Sequence, residues 1–593
     1  MHKRTPLVPL ARTGLALFIT TSVGAMEPAR PTPLRPNVVV ILADDMGFSD
    51  VGCYGGEIQT PNLDRMAEQG VRYTQFYNTA RCCPTRASLL TGLYPHDAGV
   101  GHMSDDHGTA FPGYTGSLND RCRTIPEVLR TAGYRSYLSG KWHVAAPLSP
   151  LGPKDHWPLQ RGFDAFYGTL EGAGSYFDPA GLCRGNTWIT PENDPEYRPE
   201  TYYYTEAITE NALQFLRQHQ ETTPEQPFFL YLAYTAPHWP LHALPEDIAR
   251  YDGRYSQGYD ATRRARVERS RELGLLDGSW KPAPTIGRWD DPNVGRWEDI
   301  RDRRWEERCM EVYAAQIDRM DQGIGRVVQE LQRLGRYENT IFFYLHDNGA
   351  CAETMWRRPY RVPHEPQPFG PDDLQRKLSP PLMQTRSGLP VRSGQAVMPG
   401  PAESYVTYGE AWANVSNTPF RDYKHWVHEG GIATPLIVHW PAGIEASRHG
   451  SLIQEPGHVV DIMATVVDLS GARYEAATIQ RAGEEPPAPL AGVSLQPGWR
   501  GEPLARTEPL FWEHEGCRAV RQGRWKLVAR GAGEPWELFD METDRTEQHD
   551  LAILEPERVR EMAQQWENWA RTHRVVPWIW EPAFGATIGE RLR

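Results

Sequence analysis

The chain carries only eight cysteines in 593 residues, at irregular spacings, and no apolar run approaches the ~20 residues that a membrane-spanning helix needs. The first shortage excludes a disulfide framework and leaves room for at most one or two bridges; the second excludes stable membrane insertion. Basic charge is short as well. With 63 Lys and Arg against 76 Asp and Glu the formal net charge is −13, which lacks the basic face that phosphate backbones demand and excludes nucleic acid as the main partner. Internal repeats are missing too. What is present is ordinary for a folded soluble protein, with 40% hydrophobic and 23% charged residues. The length calls for two domains rather than one core. Tryptophan is abundant at 20 residues, which suits contact with a sugar face or an aryl ring without choosing between them.

Residues 1–25 read as an export signal. His2, Lys3, Arg4 and Arg12 precede an apolar run from Gly14 to Ile19, and Val23-Gly24-Ala25 offers small residues for cleavage. The mature chain would begin near Met26, with 26–35 as an N-terminal extension, and would be secreted or periplasmic. Downstream, four apolar runs each end in a polar cluster. Asn37 to Leu42 leads into Ala43-Asp44-Asp45-Met46-Gly47, and Tyr134 to Leu138 into Ser139-Gly140-Lys141-Trp142-His143. Phe228 to Tyr234 leads into Thr235-Ala236-Pro237-His238-Trp239, and Ile341 to Leu345 into His346-Asp347-Asn348-Gly349. Such short runs between helical segments read as strands of a largely parallel, buried sheet. Ligand groups in these sheets collect beyond the carboxyl ends of the strands, so all four clusters are expected to face one pocket.

Helices are expected at Pro61 to Gln69, Thr124 to Ala132 and about Trp305 to Leu334. Residues 251–304 read as an insertion, and 354–420, rich in Pro and Gly, as a long excursion over the pocket edge. Residues 471–506 read as a linker. After it, Leu510 to Trp512, Cys517 to Arg521 and Trp525 to Val528 read as antiparallel strands, with Glu555 to His573 as a helix packed on them. The expected organisation is a domain over 36–470, the linker, and a smaller subdomain over 507–593.

The densest chemistry lies at Cys82-Cys83-Pro84-Thr85-Arg86. Pro84 suits the first turn of a helix and Gly92 suits its stop, which places Cys82 at a helix N-terminus. Free backbone N–H groups there favour an anion, and Arg86 adds a forked cation matched to the oxygens of an oxyanion. Asp44, Asp45, Asp347 and Asn348 offer hard oxygen donors from two strand ends, a set that favours Ca²⁺ or Mg²⁺ over zinc. Taken alone, each pair also reads as a solvated or tight turn.

Cys-x-Pro-x-Arg beginning at Cys82, continued by Ala87-Ser88-Leu89-Leu90-Thr91-Gly92-Leu93-Tyr94-Pro95, resembles the segment that a formylglycine-generating enzyme reads in type I sulfatases. Only Cys82 fits the register, because Cys83 stands one residue too close to Pro84. The resemblance narrows to bacterial arylsulfatases of the Pseudomonas type through Ala236-Pro237-His238-Trp239-Pro240-Leu241, Glu272-Leu273-Gly274-Leu275-Leu276 and Ser404-Tyr405-Val406-Thr407-Tyr408-Gly409. It covers most of residues 36–470 and, more weakly, Glu537-Leu538-Phe539-Asp540 and Glu547-Gln548-His549-Asp550-Leu551.

That resemblance implies an alkaline-phosphatase-like α/β fold: a largely parallel mixed sheet flanked by helices, with a smaller C-terminal antiparallel α+β domain. It implies that Cys82 becomes formylglycine, and that one Ca²⁺ is held by Asp44, Asp45, Asp347, Asn348 and the modified residue 82. Arg86, Lys141, His143, His238 and Lys424 would surround the sulfate. The implied activity is hydrolysis of a sulfated small molecule or saccharide, releasing an alcohol or phenol and inorganic sulfate. The aldehyde hydrate would be the nucleophile, activated by Ca²⁺ and Asp347. His238 or Lys424 would protonate the departing alcohol, and His143 would take the proton whose loss expels sulfate. His346 departs from the small hydroxyl residue usual before Asp-Asn-Gly, and it joins His242, His425 and His428 as structural histidines. Trp142, Trp239 and residues 354–420 are the candidates for shaping the leaving-group pocket. Two alternatives stay open: a formylglycine-dependent phosphonate monoester or phosphodiester hydrolase, and a secreted carbohydrate-binding pseudo-enzyme that leaves Cys82 unmodified.

Overall fold

In the computed structural model, which describes residues 1–2, 35–104, 108, 110–285, 296–354, 356–359, 367–375, 384–475, 487–578 and 580, the four apolar runs are strands of one sheet. The strands are β1 (Asn37–Ala43), β2 (Val71–Tyr77), β3 (Arg135–Gly140), β4 (Ala165–Thr169), β5 (Leu182–Arg184), β6 (Thr187–Trp188), β7 (Phe228–Ala233), β8 (Thr340–His346), β9 (Ala433–His439), β10 (Ser451–Ile453) and β11 (Gly457–His458). They lie in the order β10-β2-β9-β8-β1-β7-β3-β4-β5-β6, with β11 also paired to β2. The centre is parallel, and antiparallel pairs enter through β9 and at the β4–β6 edge.

Burial on both faces explains the nearly unbroken apolar character of the central strands β1, β7 and β8. Val39 and Ile41 of β1 join a core with the helices Tyr204–Thr222 and Arg303–Arg333. Val38, Val40 and Leu42 point the other way, into a core with Cys82–Thr91, Ile125–Arg130 and Val460–Ser470. The expected helices form at Pro61–Glu68, Ile125–Arg130 and Arg303–Arg333. Thr124 caps the second in a capping box with Glu127, and Asp302 caps the third by accepting from the Trp305 N–H at 3.2 Å.

The C-terminal part is a second sheet, β12 (Leu510–His514), β13 (Cys517–Gln522), β14 (Trp525–Ala529) and β15 (Glu537–Asp540), antiparallel throughout and covered by the helix Pro556–Thr572. It is tied to the main sheet by buried charge: Lys526 Nζ lies 2.9 Å from Glu429 Oε1, and Arg545 Nε 3.0 Å from Glu429 Oε2. The described residues from Arg35 onward accordingly cluster as one compact unit.

Three expectations need adjustment. The segment read as a linker over 471–506 is packed where it is described, because Leu495 and Trp499 bury in the second core and the Leu495 N–H donates to Thr465 Oγ1 at 2.9 Å. Its apolar residues outweigh the Pro and Gly around them. All eight cysteines are buried and none is in a disulfide, so none of the permitted bridges forms. Trp142 is fully buried, with its indole N–H on the His156 carbonyl, and therefore serves the core and not a leaving-group pocket. The export signal over 1–25 and most of the extension over 26–35 fall outside the described residues. Among the described residues, no helix is long and apolar enough to cross a membrane.

Candidate active site

Strand direction brings the polar clusters together. β8, β1, β7 and β3 are neighbours and parallel, so the residues that follow them leave from one edge of the sheet. Asp44 and Asp45 follow β1, Lys141 and His143 follow β3, His238 follows β7, and Asp347 and Asn348 follow β8. β9 runs against β8 and so begins at that edge, where the loop before it carries Lys424. β2 runs against β9, which puts the end of β2, and the Cys82–Thr91 helix after it, at the same place.

Cys82 opens that helix behind an extended Arg81, Pro84 sits in the first turn, and Gly92 closes it at φ +68°. The sulfur of Cys82 lies with that of Cys83 and a ring nitrogen of His143, all within 4.8 Å of one another. A hydrogen bond from Cys83 pulls the Cys82 thiol well below its ordinary range, against burial and with Lys141 and His143 assisting. Burial pushes Cys83 well above. The two adjacent thiols thus differ in direction, Cys82 toward the thiolate and Cys83 away from it.

The oxygen donors interlock. Asn348 Nδ2 donates to Asp45 Oδ1 at 2.7 Å, and the Asp45 N–H donates to Asp347 Oδ1 at 3.2 Å. Arg86 is fully buried and braces these carboxylates, with Nη2 and Nε on Asp347 Oδ2 at 2.8 and 3.1 Å and Nη1 on the Lys141 carbonyl at 3.1 Å. Lys141 Nζ donates to Asp44 Oδ2 at 2.5 Å, and Lys424 Nζ to Asp45 Oδ2 at 2.8 Å. His238 Nε2 stands 3.2 Å from Asp45 Oδ2, while its Nδ1 donates to the Trp239 carbonyl at 2.7 Å. Asp45 and His143 hold left-handed backbone, φ +64° and +57°, a strain met mostly where a site requires it. Gly349 makes the close approach possible: a side chain there would collide with the Gly430 carbonyl, and the Gly349 N–H reaches the Gly431 carbonyl at 3.0 Å.

Crowding shows in the acidities. Burial raises Asp44, and burial together with Asp44 pushes Asp347 up to about 8 against Arg86 and Lys141. Burial works on Asp45 in the same sense, but His238 and Lys424 overcome it and hold that carboxyl well below its ordinary range. Burial takes His238 down to about 4 despite Asp45, whereas Asp45 holds Lys424 well above the usual amine value in spite of burial. Asp44 Oδ1 and Asn348 Oδ1 are buried with no hydrogen-bond partner. Unpaired buried oxygens beside carboxyls that resist ionisation fit a hard divalent cation, which would take those lone pairs and stabilise the charged forms.

The departure at His346 resolves simply. Its Nδ1 donates to the Met46 carbonyl at 2.9 Å and its Nε2 accepts from the Tyr344 hydroxyl at 3.0 Å, so the ring ties β8 to the loop after β1. His242 likewise spends Nε2 on the Ser404 carbonyl at 2.6 Å. Two groups escaped the sequence reading. Glu353 is buried between Arg81 Nη1 at 2.9 Å and Lys424 Nζ at 3.8 Å, and it accepts the Trp239 indole N–H at 2.8 Å. The other is the His514-Glu515 pair at the β12–β13 turn, next to His102 and His425. Neither carries a motif; only an acid or histidine out of place in its local structure marks them.

Cys82 at a helix N-terminus, beside buried lysines and carboxylates at the carboxyl edge of an alkaline-phosphatase-like sheet, is an arrangement suited to anionic esters. The sulfatase family model matches residues 36–472, and the chain belongs to that family; it is a sulfuric ester hydrolase. It is 32% identical over 555 residues to an uncharacterized sulfatase of Schizosaccharomyces pombe, covering 90% of this chain and 93% of the relative. It is 34% identical over 471 residues to the arylsulfatase of Klebsiella aerogenes, covering 78% and 91%. Among solved structures, Ps i-CgsB in complex with k-i-k-neocarrahexaose superposes with a TM-score of 0.60 at 24% identity, over 94% of this chain and 97% of that one.

Proposed function

We propose that this hydrolase cleaves the sulfate ester of an alcohol, phenol or saccharide through a formylglycine formed from Cys82 by a formylglycine-generating enzyme. One Ca²⁺ would be held by Asp44, Asp45, Asp347, Asn348 and residue 82, and the mature enzyme would act in the periplasm or outside the cell. The observation that carries the reading is the meeting of Cys82, at the start of its helix with His143 by its sulfur, with two unpaired buried oxygens of the acidic cradle. When present, the cation polarises a sulfate oxygen, and the formylglycine hydrate offers one hydroxyl for attack on sulfur and a second whose deprotonation releases sulfate.

The side chains divide the remaining work. Arg86 locks Asp347 in place, and Lys141 with Lys424 sets positive charge against the sulfuryl oxygens. His143, against the Cys82 sulfur, takes a proton at that position. Lys424, held protonated by Asp45, stands ready to give the departing alcohol its proton, and His238 beside it, neutral in the free site, would share that role once the negative charge of the bound ester favours its protonated form.

Peptide mass spectrometry of active enzyme should find an aldehyde or its hydrate at residue 82 and an intact thiol at 83, and Cys83→Ala should keep most of the activity. Active protein with an unaltered Cys82 thiol would refute the assignment. Relative rates on 4-nitrophenyl sulfate and a 4-nitrophenyl phosphonate monoester separate the sulfatase reading from a phosphonate hydrolase.

The histidines are separable by leaving group. His238→Ala is expected to cost ~10²-fold or more in kcat/KM on alkyl or sugar sulfates, whose alcohols need a proton to leave, and much less on 4-nitrophenyl sulfate. His143→Ala should instead give a burst of one alcohol per active site followed by slow turnover, whichever alcohol leaves. Equal losses across leaving groups for the first variant and no burst for the second would reverse the roles.

A further inference from the structure

We propose that His514 and Glu515, with His102, form a subsite that binds hydroxyl groups of the leaving alcohol, so that the preferred ester is a saccharide sulfate and not a plain aryl sulfate. The inference rests on the sulfatase reading of the Cys82 site and concerns what lies beside it.

His514 and Glu515 sit where the C-terminal sheet turns from β12 to β13, with His514 paired to Cys517 across the turn. The two turn residues, Glu515 and Gly516, both have positive φ, +48° and +80°, a geometry that favours Asn, Asp or Gly in the first place. A glutamate there opposes local preference, which is what a side chain kept for its carboxylate looks like. That carboxylate is buried. Oε1 lies 2.6 Å from His102 Nε2, whereas Oε2 has no hydrogen-bond partner and stands 3.7 Å from His425 Nδ1.

His514 is completely buried, and neither of its ring nitrogens has a hydrogen-bond partner. Its ring stacks on His102 at 5.5 Å. Burial first, then the neighbouring His425, His102 and Arg81, keeps it neutral, so it offers one donor and one acceptor, while Glu515 stays ionised under His425 and His102 and offers an acceptor. Unspent donors and acceptors in such a place await a polar ligand.

The cluster adjoins the reacting centre. Arg81 directly precedes Cys82, His425 directly follows Lys424, and the His514 ring stands 5.2 Å from that of His425. Glu353 links Arg81 to Trp239, whose ring is 4.5 Å from that of His238, so the wall leads to the groups that serve the departing alcohol. A hydroxyl-bearing sugar would satisfy the free atoms of His514 and Glu515. An aryl ring would leave them unpaired, and sites built this way discriminate strongly.

The test uses formylglycine-bearing full-length enzyme, 4-nitrophenyl sulfate, and the 6-sulfates of galactose, glucose and N-acetylglucosamine with the 3- and 4-sulfates of galactose. For the best saccharide, Glu515→Gln and His514→Leu should lower the ratio of its kcat/KM to that of 4-nitrophenyl sulfate by ~10²-fold. The desulfated sugar should also inhibit the wild type more strongly than either variant. Equal falls on both kinds of ester, or a wild type active on 4-nitrophenyl sulfate and on none of the sugars, would overturn the subsite. So would one equivalent of tightly held zinc lost in His514→Leu, which would make the cluster a metal site. Formylglycine-bearing enzyme silent on every ester would overturn the functional reading itself. Should His514→Leu fail to fold, Glu515→Gln, which keeps the shape, decides alone.

Discussion

Replacing Cys82 by alanine is expected to lower kcat/KM on 4-nitrophenyl sulfate by roughly 10⁴-fold or more, because the residue that attacks sulfur is gone while the binding groups remain. Thermal unfolding should change little by comparison, since the helix and its buried partners are kept. Cys82→Ser is the sharper version. Serine retains one hydroxyl at the helix N-terminus but lacks the second from which His143 would take a proton. It should therefore release about one equivalent of 4-nitrophenol, keep sulfate on the protein, and stop. Steady turnover by the serine variant at near wild-type rate would mean that position 82 has no need of the aldehyde hydrate. The same outcome for alanine would remove Cys82 from the chemistry altogether.

Loss of the metal should be nearly as damaging. Chelation followed by gel filtration is expected to abolish turnover, with Ca²⁺ restoring it better than Zn²⁺, because the four assigned ligands Asp44, Asp45, Asp347 and Asn348 bind through oxygen and outnumber the one ring nitrogen, of His238, that stands within 4.8 Å of Asp44 and Asp45. Asp347→Asn isolates the effect. It keeps the shape of the side chain but removes the charge that meets Arg86 at 2.8 Å and adjoins Asp45. A cation acting as a Lewis acid supplies several kcal/mol at the transition state, so its loss corresponds to ~10³-fold in rate. Metal analysis should show reduced occupancy in the variant. Full occupancy with normal rate, or recovery by Zn²⁺ alone, would remove the cation from the position assigned to it.

The readable part of the fold followed from burial and periodicity. The runs that became β1, β7 and β8 are mostly apolar because both faces of the central sheet are covered, and that pattern survives in a linear reading, whereas β3 keeps only Tyr137 and Leu138 between serines and an exposed Arg135. β2 and β9 did not stand out in the same way. Their antiparallel pairing at β9 depends on where the chain returns after the long excursion, a property of the path and not of either segment. Residues 487–506 misled for a related reason: Pro and Gly mark a break in regular structure, whereas Leu495 and Trp499 bury only because a core lies beneath them.

The amino-acid sequence by itself determined the family and singled out the candidate nucleophile and oxygen donors, since each is a residue type at a fixed spacing: Cys82 with Pro84 and Arg86, Asp44 with Asp45, Asp347 with Asn348. Tertiary structure alone decided how those groups act on one another. Only folding sets Arg86 on Asp347, Lys424 on Asp45 and Cys83 against Cys82, and leaves Asp44 Oδ1 and Asn348 Oδ1 unpaired. Only folding brings Glu515, more than four hundred residues beyond His102, within 2.6 Å of it. The physical reason is that acidity, pairing and access depend on burial and on distances of a few ångströms, and parallel strand order, not spacing along the chain, determines which distances become short.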